Sequence, residues 1–166
     1  MPGAPYHPAA LALQGVIGLS NEIERELARL LGVNLTDYRA LSSLASSGEV
    51  PVGRLAAALG ATPAATTAIV DRLEVKGLAQ RRRAEEDRRQ VRVAVTPAAI
   101  GRIIELMVPL MRRVDDHVVG LSEAEQRVVA EFVVVLRDAL GDHLADLVAQ
   151  EKSDQAGPGQ KGTHDE

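Results

Sequence analysis

A mainly α-helical chain with one small β-hairpin is the fold class this sequence predicts, and three observations carry it. Apolar residues recur at helical spacing through most of the 166 residues. One stretch breaks that period: Leu78 to Arg83, a polar turn Ala84-Glu85-Glu86-Asp87, then Arg88 to Val95, in which Val91, Val93 and Val95 alternate with Gln90, Arg92 and Ala94. That two-residue alternation is a hairpin with one apolar and one basic face. On either side, Thr62-Pro63 and Thr96-Pro97 mark helix starts, because a Thr hydroxyl can accept from free backbone N–H groups and a Pro at the first helical position has no N–H to leave unpaired. Two short helices leading into such a hairpin make a winged helix-turn-helix lobe, and the N- and C-terminal helices form a second, helical lobe.

Taken in order, Met1 to Pro8 is rich in Pro and Gly and is expected to be loose. Ala9 to Leu31 reads as a long helix, with Leu13, Val16, Ile17, Ile23, Leu27, Leu30 and Leu31 on its apolar face and Glu22, Glu24, Arg25, Glu26 and Arg29 outward. Gly32 stops it. Thr36 is expected to cap a second segment that runs through Leu44 and ends at Ser46-Ser47-Gly48. Val52 to Leu59 is the first helix of the helix-turn-helix, although Pro51 and Gly53 supply no hydroxyl cap. In the second, Thr66, Ile69, Val70 and Leu73 face inward, Ala64, Thr67, Ala68, Asp71, Arg72 and Val75 fall toward the other side, and Gly77 is a left-handed cap. The helix after Thr96 carries Ile100, Ile103, Ile104, Met107, Leu110, Met111, Val114 and Val118, and Pro109 should kink it. Ser122 to Glu125 is a capping box for a last helix bearing Val128, Val129, Phe132, Val133, Val135, Leu136, Leu140, Leu144, Leu147 and Val148. Gln150 to Glu166 lacks apolar periodicity and reads as a disordered tail.

Composition narrows the function. Aromatic residues make up 2% of the chain, with no Trp and one Phe, so the core is aliphatic. Cysteine is absent, which excludes disulfides, thiolate metal sites and thiol-based redox sensing. No apolar run approaches a membrane span and the N-terminus has no leader pattern, so a cytoplasmic location is expected. His7, His117, His143 and His164 lack zinc-type spacing, and each is read as a surface or interhelix residue; no metal and no cofactor are expected. No nucleophile motif or phosphate-cradling glycine loop is present, and an enzyme is not expected.

The net charge of −4 speaks against nucleic acid only until it is resolved along the chain. From Lys76 to Arg92 seven Lys/Arg stand against three Asp/Glu, so this segment is +4 and the rest of the chain carries −8. Such segregation suits a DNA binder, since phosphate contacts depend on local potential. The alternative is a solvated hairpin that is arginine-rich without consequence.

The run GATPAATTAIVDRLEVKGLAQRRRAEEDRRQVRVAVTPAA resembles the DNA-binding core of the MarR family of transcriptional regulators. Val70-Asp71-Arg72-Leu73, Lys76-Gly77-Leu78, Asp87-Arg88-Arg89 and Val95-Thr96 carry the likeness, supported by Leu35-Thr36, Leu41, Leu44 and Leu121-Ser122-Glu123. It covers roughly Ala9 to Ala149. It implies a winged helix-turn-helix core at about residues 35–96 and dimerisation helices at about 9–31 and 97–149, with a homodimer interlocked through its terminal helices; a monomer whose terminal helices pack on each other is the alternative.

What the resemblance implies for function is a sequence-specific repressor on a pseudopalindromic, double-stranded DNA operator. Thr62 to Lys76 would enter the major groove and the wing would lie along the minor groove. Thr67 would bond base edges or phosphate, and Ala64 and Ala68 would face thymine methyls. Few polar readers remain on this face, which shifts weight toward DNA shape. Arg72 and Lys76 are phosphate candidates, with a fold-holding role as the alternative for Arg72. In the wing the candidates are Arg81, Arg82, Arg83, Arg88, Arg89 and Arg92, with Arg89 as the minor-groove arginine and Asp87 orienting the tip. Asp71 is expected to pair with a wing arginine, Arg89 first and Arg88 as the alternative; an exposed helix carboxylate is the other reading. MarR-like proteins often bind small organic effectors between the two lobes, and Tyr38, Arg39, Met107, Met111 and His117 are the pocket candidates, ordinary core or surface being the alternative. Two other classes stay open: a winged-helix protein-interaction module, and a ligand-binding protein with a vestigial DNA-binding lobe.

Overall fold

Nine elements follow one another in the computed structural model, which describes residues 6–83 and 91–156: α1 (Pro8–Leu30), α2 (Leu35–Ser47), β1 (Val50–Pro51), α3 (Val52–Leu59), α4 (Pro63–Val75), β2 (Ala79–Arg83), β3 (Val91–Val95), α5 (Pro97–Val119) and α6 (Glu123–Ala156). They fall into two compact units, Met1–Pro109 and Leu110–Glu166, divided next to the proline inside α5. The sequence-predicted class, mainly helical with a small hairpin wing, is the observed one.

In the first unit each helix end follows from its local chemistry. Thr62 Oγ1 accepts from the Ala65 N–H at 3.2 Å and Pro63 opens α4, as the sequence predicts. At the other end Gly77 takes φ 68°, and the Leu78 N–H reaches back to the Leu73 carbonyl at 2.9 Å, which closes the helix in the left-handed geometry that glycine adopts without a Cβ penalty. The cap of α2 is Asn34 rather than Thr36: its side-chain oxygen accepts from the Asp37 N–H at 2.8 Å. An Asx side chain one residue before Leu35-Thr36 satisfies the free N–H groups, so the helix starts earlier than expected. α2 also runs through Ser46 and Ser47 and stops only at Gly48. α3 begins at Val52 with no side-chain cap, consistent with the Pro51 that precedes it.

The sheet contains one strand the sequence does not announce. β1, two residues long, pairs antiparallel with β3, giving the order β1-β3-β2 with Val50 opposite Val93 and Pro51 opposite Arg92. Two residues cannot show an alternation, and Pro51 argues against a strand except at an edge, which is where it lies. Between β2 and β3 the register sets Ala79 against Val95, Arg81 against Val93, Arg82 against Arg92 and Arg83 against Val91. The turn Ala84-Glu85-Glu86-Asp87 and the following Arg88, Arg89 and Gln90 lie outside the described residues.

One aliphatic core joins these pieces: Leu41 and Leu44 of α2, Leu55 of α3, Ile69, Val70 and Leu73 of α4, and Val93 and Val95 of β3. Thr66 is fully buried among them, with its hydroxyl donating to the Thr62 carbonyl at 3.0 Å so that no polar hydrogen is stranded. Each such leucine removed to alanine would cost about 2–5 kcal/mol, because the surrounding shell collapses only in part. This core holds α4 with its inner stripe sunk and its outer face open.

In the second unit the capping box before α6 is present: Ser122 N–H donates to Glu125 Oε2 at 2.9 Å and Glu125 N–H to Ser122 Oγ at 3.4 Å. The Ser122 hydroxyl also donates to Glu125 Oε2 at 2.6 Å, and this bond first, then the one from the Ser122 main-chain N–H, holds the Glu125 carboxyl below the usual carboxylate range. The helix then runs on to Ala156, past the boundary expected near Ala149, since no Gly or Pro stands between Ala149 and Gly157-Pro158 and Gln150-Glu151-Lys152 favour helix. Residues 157–166 lie outside the described residues.

Candidate nucleic-acid interface

Apart from Val75 and Lys76, the exposed residues on the outer side of α4 are small or already engaged. Ala64, Ala65, Thr67, Ala68, Asp71, Arg72, Val75 and Lys76 are exposed, while Thr66, Ile69, Val70 and Leu73 are buried, as the helical spacing predicts. The Thr67 hydroxyl donates to the Pro63 carbonyl at 2.9 Å, which leaves its oxygen lone pairs turned to solvent as an acceptor.

Two of the basic residues read as DNA contacts are committed within the protein. Arg72 grips Asp37 of α2 with two parallel bonds, Nη2 to Oδ1 at 2.6 Å and Nε to Oδ2 at 3.0 Å, so of the alternatives left open for it the fold-holding one has a partner in the structure. The hydrogen bond to Asp37 raises the Arg72 pKa. Arg81 stands on the same side of the hairpin as Val91, Val93 and Val95 rather than on the basic face, because its register partner is Val93. From there it meets α4: its guanidinium pairs with Asp71 at 2.7 Å and with Glu74, and its main-chain N–H donates to Glu74 Oε1 at 2.7 Å. Burial acts to lower the Arg81 pKa, and the two carboxylates outweigh it and raise it. Asp71 therefore does pair with a wing arginine, but the one described is Arg81; Arg88, Arg89 and Asp87 lie outside the described residues.

The opposite face of the hairpin carries Gln80, Arg82, Arg92 and Ala94. Arg82 and Arg92 sit directly across from each other, a like-charge juxtaposition that costs energy unless an anion answers it. Arg83 at the end of β2 is exposed. One basic residue escaped the sequence reading: Arg54, exposed near the start of α3, with no ion pair among the described residues. Its only signal was its place in the first helix of a helix-turn-helix, the helix that crosses the DNA backbone in such motifs.

The effector-pocket candidates are divided between the two units. Tyr38 and Met107 meet in a small apolar cluster with Leu27, and burial, then the nearby Glu24 charge, raises the Tyr38 hydroxyl pKa. Arg39 turns outward to Glu24 at 3.1 Å. Met111 and the exposed His117 belong to the second unit, where Met111 lines an open groove with Arg112, Val114, Asp115 and Val118. Among the described residues no group of His, Asp or Glu side chains gathers as a metal site would require.

A helix pair with an exposed second helix and a basic hairpin beside it defines the class: a winged helix-turn-helix protein. The sequence model of the MarR family matches residues 33–91. An HTH-type transcriptional regulator of Bacillus subtilis, YcgE, is 30% identical over 120 residues, covering 72% of this chain and 78% of that protein. YusO of the same organism, a solved structure, is 25% identical, covers 79% of this chain and 93% of its own, and superposes with a TM-score of 0.54. A Staphylococcus aureus MepR mutant solved bound to an oligodeoxyribonucleotide shares the fold at 18% identity, covering 82% and 99%, with a TM-score of 0.51. The chain belongs to the MarR family and is a transcriptional regulator of that family.

Proposed function

We propose that the chain is a repressor that binds a pseudopalindromic operator as a homodimer, with α4 in the major groove and the wing along the minor groove. The observation that carries this reading is the pairing of an exposed α4 face with a hairpin whose outer face bears Arg82 and Arg92, next to Arg83. The oligonucleotide bound to the MepR fold relative supports it. Phosphate contacts fall to Lys76, Arg54, Arg82, Arg83, Arg88, Arg89 and Arg92, and base contacts to Ala64, Thr67 and Ala68. A transcriptional regulator works in the compartment that holds the genome, here the cytoplasm; no described helix is long and apolar enough to cross a membrane.

Dimerisation is proposed from unpartnered apolar surface. On α6, Val128, Phe132, Val133, Val135 and Leu144 are each more than half exposed, and on α1 so are Leu11, Val16 and Leu19. Surface of this size on two helices needs a cover, and a second copy of the chain supplies matching faces. A small organic effector that releases the DNA completes the proposal.

A mobility-shift titration over a range of salt tests the reading. We expect tight binding to a duplex that the protein enriches from a randomised pool, weaker binding to scrambled DNA, and a steep salt dependence for both. No preference for the enriched duplex would refute operator recognition, and sedimentation as a monomer at micromolar concentration would refute the dimer.

A further inference from the structure

Asp71 and Arg72 are neighbours in α4, so their side chains leave the helix about 100° apart. One reaches β2 through Arg81, and the other reaches α2 through Asp37. The second contact is the more demanding. Asp37 is only 2% exposed, and both of its oxygens are taken: Oδ1 by Arg72 Nη2, Oδ2 by Arg72 Nε and by Asn34 Nδ2 at 3.1 Å. Its own N–H donates to Asn34 Oδ1 at 2.8 Å, so one Asn34 amide both caps α2 and holds the carboxylate. A buried carboxylate without its cation would be costly, which makes the planar guanidinium fork an obligatory partner rather than an optional one. The backbone of α2 is in turn fixed by Leu41 and Leu44 in the core.

The geometry points to Asp37 and Arg72 as a positioning pair for DNA recognition: the fork fixes how far α4 is rotated about its own axis against α2, and so which side chains face the base edges. Arg72 then acts through α4 and not on a phosphate. This rests on the DNA-reading role of α4 proposed above. It also predicts signs opposite to those of a phosphate ligand. Were Arg72 a phosphate contact held back by an acid, removing Asp37 would release it and tighten binding to any DNA.

The experiment compares Asp37→Asn, Arg72→Gln, their double variant and Arg72→Lys with the parent protein, on the enriched duplex and on a scrambled duplex, at several salt concentrations. For Asp37→Asn and Arg72→Gln we expect affinity for the enriched duplex to fall about tenfold, the size of one lost base-reading contact, with scrambled DNA bound as before and the slope of log K against log salt unchanged. The double variant should be no worse than the poorer single one, since both break the same device. Arg72→Lys keeps the charge and loses the fork, and should behave like Arg72→Gln. Tighter binding of both duplexes by Asp37→Asn, or a slope shallower by about one unit per subunit for Arg72→Gln, overturns the proposal. Should the Asp37 variant fail to fold, and so lose both duplexes, Arg72→Lys decides alone: parent-like discrimination overturns the proposal. A parent protein that enriches no duplex at all removes the proposed function, and this inference with it.

Discussion

Replacing Glu74 by alanine should harm this protein more than replacing Asp71, although Asp71 is the residue the sequence singles out. Glu74 accepts twice from Arg81, from the main-chain N–H and from the guanidinium, and its side chain is 30% exposed. Asp71 makes one ion pair with the same arginine and is 57% exposed. An exposed pair contributes about 0–1 kcal/mol, whereas charged hydrogen bonds shielded from water contribute about 1.5–3 kcal/mol each. Glu74→Ala should therefore lower stability by about 2 kcal/mol, and Asp71→Ala by less than about 1 kcal/mol. Urea unfolding followed by circular dichroism measures both, with the difference appearing in the midpoint at constant slope. Because Arg81 ties β2 to α4, both variants should also weaken binding to the enriched duplex, Glu74→Ala the more. If the wing were only a cluster of positive charge, removing either acid would strengthen binding. Tighter DNA binding by Glu74→Ala, or an Asp71 variant less stable than the Glu74 one, would refute the bracing argument.

Thr67→Val should cost about 1–3 kcal/mol on the enriched duplex and little on scrambled DNA, as read in a competition titration. With the Thr67 proton committed to Pro63, the lost contact should be one donated by the DNA, from an adenine or cytosine amino group. Replacing thymine by uracil in the enriched duplex deletes only the C5 methyl and should weaken binding wherever Ala64 or Ala68 meets it; equal affinity for the uracil duplex would remove methyl readout. Changing Arg88 and Arg89 together to alanine should weaken binding to every sequence and lower the salt slope by roughly one unit per lost phosphate contact, and an unchanged slope would take both residues out of the interface.

How legible the fold was depended on whether a signal was local. Thr62-Pro63, Gly77 and Ser122-x-x-Glu125 are complete within a few residues, and all three caps stand as the sequence predicts. The inward set Thr66, Ile69, Val70 and Leu73 was legible for the same reason: a 3.6-residue period needs only its own helix. β1 was not, because a two-residue strand exists only through its pairing with β3. Asp37 looked like any acid in the first turn of a helix, a place where the dipole favours one, and nothing nearby announces a partner on α4. The run Arg81-Arg82-Arg83 puts all three in the wing but does not say which of them turns inward; that is a matter of register, decided by the pairing of Arg81 with Val93.

The edges of the small sheet have a consequence of their own. A sheet with a free edge invites another strand to add to it, in folding intermediates or in crowded solution. Here β3 is in the middle, and the strands on either side of it are poor hosts. β1 offers only two residues, and Pro51 has no N–H with which to bind a newcomer. β2 ends in Arg82 and Arg83, beyond the Arg81 that Asp71 and Glu74 answer, and their charge would have to be gathered against a like-charged copy. The arginines that make the wing suitable for DNA thus also keep wings apart from one another, so a protein that must accumulate along a polyanion can do so without its sheets joining.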